Sequence, residues 1–482
     1  MNVLIRADAS AQAGGGHIAR CIALAEAIHD RGGDALFATR QDATLGHRML
    51  KVAGMPYREL PCGADWQSDA EATRQLLGGR DWVVVDHYGL DARWQKTVSQ
   101  HPVGILVIDD LANRPHDCAV LTDAGRPASA WGEYAGFVPS ECAFLLGPRY
   151  ALLRREFRNA PDPGQESERP RLLIFFGSAD GQSLTELALD ALGSANLLEE
   201  LSVHVVLTSA NRQAASIRQR DGIEVHEDVA DMPALIAGMD IALGAGGVSL
   251  WERCSLGVPG LVVGLNENQI RGVQLAEAAG AVRSIGLSDV RQPNVFAEAI
   301  RKFVADRGRW QAMASAGRAL VDGRGADRIA AHMGALELRV ANPADCELLW
   351  QWVNDPGVRA MAFNTEPISF EDHQAWFASN IRSPSSLILL AEQAGAPVGQ
   401  VRFDAGDDDE EAQSWVIDIS LTPEYRGRKL ALEVLQKALV LFRRAHRNAV
   451  AVAWVKSDNA PSARLFETAG FQSDGNRPGA RR

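Results

Sequence analysis

The sequence predicts an α/β protein built as two Rossmann-like lobes followed by a smaller α+β domain. Three observations carry this expectation. Through the first two-thirds of the chain, short apolar runs (MNVLIR, DALFAT, DWVVVD, VGILVID) alternate with stretches of helical spacing such as Ile18, Cys21, Ile22 and Ala25. That is the pattern of a parallel sheet covered by helices. A polar, proline-bearing interval, RNAPDPGQESERPR (158–171), interrupts the alternation and reads as a linker. The alternation restarts with RLLIFFGSADG, LSVHVVLTS, IEVHED, DIALGAGG and GLVVGL. After GRGADRIAAHMGALELRVANPAD (323–345) the pattern changes again. ELRVAN opens a strand, LLWQWVND is helical, and SLILLAEQAG, VGQVRFDAG and EAQSWVIDISL read as neighbouring antiparallel strands. The acidic DAGDDDEEAQ (404–413) reads as a solvated hairpin tip. The expected domains are 1–157, 158–335 and 336–482.

Bulk properties narrow the class. A chain of 482 residues, 46% hydrophobic and 23% charged, has the composition of a multi-domain globular protein. Its net charge of -12 argues against nucleic acid or an anionic membrane as the main partner. Six scattered cysteines form no Cys-x-x-Cys pair and no zinc-like spacing, so reduced thiols, a cytoplasmic location and no metal are expected. The N-terminal MNVLIRAD carries Arg6 and lacks the apolar core of a signal peptide, and no run is long enough to cross a bilayer.

The first strand leads into RADASAQAGGGHIARCIALAEAI, where Gly14, Gly15 and Gly16 run directly into His17 at a helix start. Glycines between strand and helix allow a tight turn and close approach to a ligand, although a plain turn would use them too. The helix dipole disfavours an imidazolium at that position, so a neutral His17 could act as a general base. DWVVVDHYGLDARW sets Asp86, His87 and Tyr88 at the end of a strand, and VGILVIDDLANRPHDC sets Asp109, Asp110 and Asn113 at the end of another. Strand ends of this kind share the ligand-binding side of an open α/β sheet.

In the second lobe, DIALGAGGVSLWERCSLGVPGLVVGLNENQ (240–269) ends a strand in Gly244, Gly246 and Gly247, begins a helix near Val248 and Ser249, and places Glu252 within its first turns. A further strand delivers Asn266, Asn268 and Gln269. The loop and helix start suit a diphosphate, and a glutamate close behind suits the two hydroxyls of a ribose; an ordinary βαβ unit is the structural alternative. The glycine pair, the glutamate five residues on, the Gly-x-Pro turn and the Asn-Gln pair resemble the UDP-binding lobe of the MurG-like GT-B superfamily. RADAS…GGGHIARCIALA and FFGSADG narrow the resemblance to the UDP-2,4-diacetamido-2,4,6-trideoxy-β-L-altropyranose hydrolase family of pseudaminic acid biosynthesis, over roughly 1–335. That resemblance implies a GT-B arrangement of the two lobes. It implies His17 as the base, Gly246, Gly247 and Glu252 as nucleotide-binding residues and Asn268 as a substrate-binding residue, with Gly14, Gly15, Gly16, Asp86, Tyr88 and Gln269 beside them. The implied reaction is hydrolysis of a UDP-amino-sugar by water at C1. A GT-B glycosyltransferase and a non-catalytic UDP-sugar-binding protein remain as alternatives.

In the last domain, IDISLTPEYRGRKLALEVLQKAL (417–439) joins an alternating strand to a basic loop and a helix whose start suits a pyrophosphate, and KSDNAPSARLFETAGFQ (456–472) opens a helix at Asn459. This pairing resembles the GNAT acetyltransferases over about 336–472, and FNTEPISFEDHQAWF resembles the N-acetyltransferase acting before the hydrolase in the same pathway. The resemblance implies acetyl-CoA as co-substrate, with Ile419, Leu421, Arg426, Gly427, Arg428, Lys429, Leu430, Ala431 and Asn459 as its binding residues, and 4-N-acetylation as the reaction. Three departures stand out. Lys429 replaces a usual glycine, Phe466 stands where many members have a tyrosine that protonates the leaving thiolate, and the closing SDGNRPGARR is too broken by glycine and proline to read as a last strand.

Overall fold

The computed structural model describes residues 1–9, 15–100, 103–158, 169–177, 180, 182–208, 211, 213–229, 231–393, 396–406, 414–427, 430–447, 449–472, 476–477 and 480–481. Gly14, Arg428 and Lys429, most of the 158–171 interval and the tip of the acidic hairpin lie outside the described residues. The chain divides into two units, Met1–Met333 and Gly334–Arg482.

The first unit contains two parallel sheets. One has seven strands, β1 (Asn2–Ala7), β2 (Asp34–Arg40), β3 (Tyr57–Leu60), β4 (Trp82–Asp86), β5 (Gly104–Ile108), β6 (Val120–Asp123) and β7 (Ala143–Leu146), in the order β3-β2-β1-β4-β5-β6-β7. The other has six, β8 (Arg171–Phe175), β9 (Ser202–Leu207), β10 (Ile223–Glu227), β11 (Ile241–Ala245), β12 (Gly260–Val263) and β13 (Val282–Ile285), in the order β10-β9-β8-β11-β12-β13. The central strands are buried on both faces, as Trp82, Val83, Val84 and Val85 are in β4, because helices cover each side. Strand order reverses between β1 and β4 in one sheet and between β8 and β11 in the other. Such switch points leave a crevice beyond the carboxyl ends of the strands. Both glycine loops singled out in the sequence follow one of these strands.

One boundary differs from the sequence expectation. The helix Gly325–Met333, assigned by pattern to the second lobe, packs on the first: the Trp82 indole N–H donates to the Met333 carbonyl at 2.9 Å, and Asp327 meets Arg31 at 3.5 Å. A linear reading cannot see such a return, because the helix carries the same apolar periodicity whichever lobe it covers.

The second unit is an α+β domain. Strands β14 (Leu336–Val340), β15 (Ser386–Gln393), β16 (Ala396–Ala405), β17 (Ser414–Leu421) and β18 (Val450–Ala453) form one sheet in chain order, antiparallel except for the β17–β18 pair. The helix Leu430–Ala445 buries Val434, Leu435, Ala438 and Phe442 against it, with Phe442 stacked on Phe403 at 4.3 Å. The β17–β18 ladder ends at Ile417↔Ala453 while β17 runs on to Leu421, so the two strands part at Asp418–Leu421. A small sheet joins β19 (Val455–Lys456), β21 (Ala480–Arg481) and β20 (Asn476–Arg477) in that order. This corrects the expectation for the closing segment: β20 and β21 pair with each other, and β21 pairs antiparallel with β19.

Candidate active site

The first lobe builds a histidine–carboxylate pair at its switch point. The helix Gly16–His29 begins directly after Gly15, and its first turn carries His17 and, one turn on, Arg20. Asp86 closes the adjoining strand β4. His17 Nδ1 lies 2.5 Å from Asp86 Oδ1, and Arg20 grips the same carboxylate with Nε to Oδ2 and Nη2 to Oδ1, both at 2.6 Å. Burial alone would raise the Asp86 carboxyl, but the Arg20 guanidinium and His17 outweigh it and hold the group well below the usual carboxylate range. An ionised Asp86 only accepts, so the short contact is Nδ1–H donating to it, and in the neutral form of the ring Nε2 carries the free lone pair. The 3.2 Å approach of Arg20 Nη2 to Nδ1 is then a contact between two donors that share one carboxylate. The sequence reading placed Asp86 among the substrate contacts; the structure spends both of its oxygens on His17 and Arg20, which makes it the group that orients the His17 ring. Arg20 went unnoticed in the sequence, although an arginine one turn after His17 on a helix whose neighbours are buried was a usable signal.

The second lobe faces this pair with its own helix start. Gly247 precedes the helix Val248–Leu256, and a Cβ on Gly16 would stand 3.8 Å from Val248 Cγ2, so the two glycine loops approach closely. Gly246 is glycine for a packing reason: a Cβ there would fall 2.4 Å from Val273 Cγ2. The cleft between the lobes has a volume of about 440 Å³, with His17, Arg20, Tyr88 and Asp110 on one wall and Gly246, Gly247, Asn268 and Gln269 on the other. Tyr88 stands edge-on to His17 with ring centroids 4.8 Å apart. Its hydroxyl donates to Asp110 Oδ2 at 3.2 Å and accepts from Asn268 Nδ2 at 3.1 Å, a polar link across the cleft. Burial and then the Asp110 carboxylate push the Tyr88 phenol up, so it remains a donor. Asp110 Oδ1 is buried in the cleft wall with no hydrogen-bond partner among the described residues, and it is available to a ligand donor.

Other residues singled out in the sequence do different work. Asp109 also lines the cleft, but its Oδ2 accepts from the amides of Leu111 and Ala112 and from Tyr134, which shapes the loop that follows it. His87 turns away to Arg40 and Asp8, and Asn113 is exposed. Gln269 Oε1 accepts from the Leu265 amide, and Asn266 caps the helix Glu267–Ala278. Glu252 is half-buried on its helix and does not line the cleft. Burial pushes its carboxyl up, against the charges of Arg154 and Arg253.

Arg253, which the sequence reading passed over, is almost fully buried beneath the second glycine loop. Its Nη2 donates to the Ala245 carbonyl at 2.9 Å and its Nη1 to Ser249 Oγ at 3.2 Å, which ties the end of β11 to the first turn of the helix. Burial lowers it to about 10, against the charge of the neighbouring Glu252. A buried cation behind a helix start is placed to attract an anionic group. Arg253→Met should weaken UDP binding about tenfold, corresponding to ~1.4 kcal/mol. Calorimetric titration with UDP checks this; unchanged affinity would leave Arg253 a packing residue.

In the second unit, Ile419 and Leu421 line the stretch of β17 that parts from β18, and Leu430 and Ala431 open the helix Leu430–Ala445. Gly427 has φ +76, a left-handed turn that favours glycine. Arg426 donates to the Leu421 carbonyl at 3.0 Å and to Asp355 Oδ1 at 2.6 Å, which braces the loop before that helix. Asn459 caps the helix Ala460–Thr468 by accepting from the Ser462 amide at 3.2 Å. Phe466 is a core residue, 5.1 Å from Phe471 between ring centroids.

Residues 335–472 match the family described as Acetyltransferase (GNAT) domain. An uncharacterized protein of Methanocaldococcus jannaschii is similar over nearly the whole chain, 21% identical across 98% of this chain and 97% of that protein. The spore coat polysaccharide biosynthesis protein SpsG of Bacillus subtilis is 24% identical across 69% of this chain and 97% of its own length. The UDP-2,4-diacetamido-2,4,6-trideoxy-β-L-altropyranose hydrolase of Campylobacter jejuni is 28% identical across 38% of this chain and 63% of its own length. The chain therefore joins a two-lobed α/β region with these relatives to a GNAT domain.

Proposed function

We propose that this chain, a fusion of a two-lobed region resembling a nucleotide-sugar hydrolase to a GNAT domain, carries out two consecutive steps on a UDP-amino-sugar. The GNAT domain transfers acetyl from acetyl-CoA to the 4-amino group. The two lobes then hydrolyse UDP-2,4-diacetamido-2,4,6-trideoxy-β-L-altrose to free sugar and UDP, as in pseudaminic acid biosynthesis. The observation that carries the hydrolase reading is the free Nε2 of an Asp86-oriented His17 facing a helix start across the cleft.

The chemistry follows from that geometry. The Gly246–Gly247 turn and the amides opening the helix Val248–Leu256 receive the diphosphate, whose charge the helix start and the buried Arg253 favour. His17 Nε2 accepts a proton as water attacks C1; the new C–O bond forms while the bond from C1 to the diphosphate oxygen breaks, and UDP departs with the electron pair. A diphosphate is a good leaving group, so oriented amides serve where a strong acid would otherwise be needed. Tyr88, Asp110 and Asn268 hold the sugar between the lobes. In the GNAT domain the parting of β17 from β18 admits acetyl-CoA. Phe466 cannot return a proton to the leaving thiolate, so that proton comes from solvent or another group.

Purified protein given the 4-amino UDP-sugar and acetyl-CoA, with no acceptor, should release one CoA thiol per sugar and then equimolar UDP and free sugar, followed by proton NMR. Thiol release without UDP release would remove the hydrolase step, and UDP release only on adding an acceptor alcohol would favour a glycosyltransferase. UDP-sugar binding with neither reaction would favour a non-catalytic binding protein.

A further inference from the structure

We propose that His204, Glu224 and His226 form a binding site for a divalent transition-metal ion of the zinc class on the outer edge of the second lobe. The site is separate from the cleft: none of the three residues lines it. They lie on β9 and on β10, the edge strand of the six-stranded sheet. In the parallel register Glu224 pairs with His204 and His226 with Val206. Glu224 and His226 are two residues apart, so they share a face of β10, and His204 presents its ring to the same face from β9.

The spacing of the donor atoms fits a single ion. His204 Nδ1 and His226 Nε2 are 3.0 Å apart, and the Glu224 carboxylate places Oε2 at 3.5 Å from the first and Oε1 at 3.5 Å from the second. Tetrahedral ligands at the usual zinc bond lengths of about 2.0–2.1 Å stand roughly 3.3 Å from one another, within the span of these separations. Two imidazoles at 3.0 Å could also share one proton, but such a hydrogen bond leaves Glu224 outside it, whereas an ion engages all three groups.

The surroundings prepare the donors. Ser202 Oγ lies 3.2 Å from His204 Nε2 and can accept its proton, the tautomer that leaves the Nδ1 lone pair turned to the cluster. Burial lowers the affinity of the His204 ring for a proton, the Glu224 charge opposes this, and His226 and Arg171 add to the lowering in smaller measure. The Arg171 guanidinium is itself held by Asp240 at 3.0 Å. Two nitrogens and one carboxylate select a borderline ion such as Zn²⁺ over Mg²⁺ or Ca²⁺, which take oxygen ligands. Glu224 is largely exposed, so solvent supplies the fourth ligand. The ion would pin the edge strand β10 to β9, a structural role that needs no substrate. Cysteine spacing gave no hint of it; the cue was the Glu-x-His alternation in IEVHED opposite a histidine in LSVHVVL.

The test is titration of the full chain, stripped with chelator and then freed of it, with Zn²⁺ and with Co²⁺ as the optical reporter of four-coordination. One equivalent should bind, with the intense visible absorption of tetrahedral Co²⁺, and Zn²⁺ should raise the Tm. His226→Ala and Glu224→Gln, both surface changes, should weaken that equivalent by on the order of 100-fold and abolish the Tm rise. The buried His204→Ala serves as a third variant, with circular dichroism as its folding control. Equal affinity and stoichiometry in wild type and the surface variants, or no bound equivalent in wild type, would overturn the site.

Discussion

Replacing His17 with alanine is expected to slow release of UDP from the sugar by about 10²–10⁴-fold, the usual contribution of a positioned general base. The loss should fall on kcat. In the proposed function the diphosphate meets the opposite wall, at Gly246, Gly247 and the helix that follows, so UDP affinity should stay within a few-fold of wild type. His17 is also a surface of the cleft and not a core residue, so the variant should fold normally. Steady-state kinetics beside calorimetric UDP binding separate these terms. A variant that turns over at the wild-type rate removes His17 from the mechanism, and one that loses UDP binding as well assigns it to binding.

Asp86→Asn should be nearly as damaging for a different reason. The carboxylate takes the Nδ1 proton and so leaves Nε2 as the basic nitrogen. A carboxamide can turn its N–H₂ to Nδ1 instead, which moves the ring proton to Nε2 and points it into the cleft; the equivalent change in a histidine–aspartate pair costs on the order of 10⁴ in kcat. The substitution also leaves Arg20 without the charge it grips through two hydrogen bonds. Arg20 keeps only its 3.2 Å pair with Asp110, so Tm should fall as well. The sign of the pH effect follows. Because Asp86 is held below its unfolded value, its stabilisation is present above the ordinary carboxylate range and is lost as pH falls through the depressed one. Asp86→Asn should therefore lose stability at neutral pH and show a flatter acid limb. The His17→Ala, Asp86→Asn double variant should be no slower than His17→Ala alone, since the aspartate acts through the ring. Additive losses would place Asp86 in contact with substrate.

The parts of this molecule legible in sequence were those written locally. Long apolar strands such as DWVVVD and VGILVID, the glycine loops and the helix starts behind them followed from spacing and composition. Three short strands, β3, β6 and β13, did not, because four residues with polar members (YREL, VLTD, VRSI) carry too few positions to show a period. The return of Gly325–Met333 to the first lobe was hidden for the same reason that its helical character was plain. At the site, His17, Tyr88 and Asn268 were found as members of a shared cleft. The division of labour among them was not, because it depends on which atoms meet: Asp86 faces His17, Asp109 faces the loop amides and Arg114, and Asp110 keeps a buried oxygen on the cleft wall. Neighbouring aspartates in a sequence carry no mark of those directions.

The most direct test of the hydrolytic account is a single-turnover reaction of the UDP-sugar in water enriched in ¹⁸O, with the released UDP read by phosphorus NMR. Attack at C1 with His17 as base predicts UDP that carries no ¹⁸O, formed by wild type on a timescale at which His17→Ala forms almost none. Label on the β-phosphorus, or equal rates for the two proteins, would contradict it.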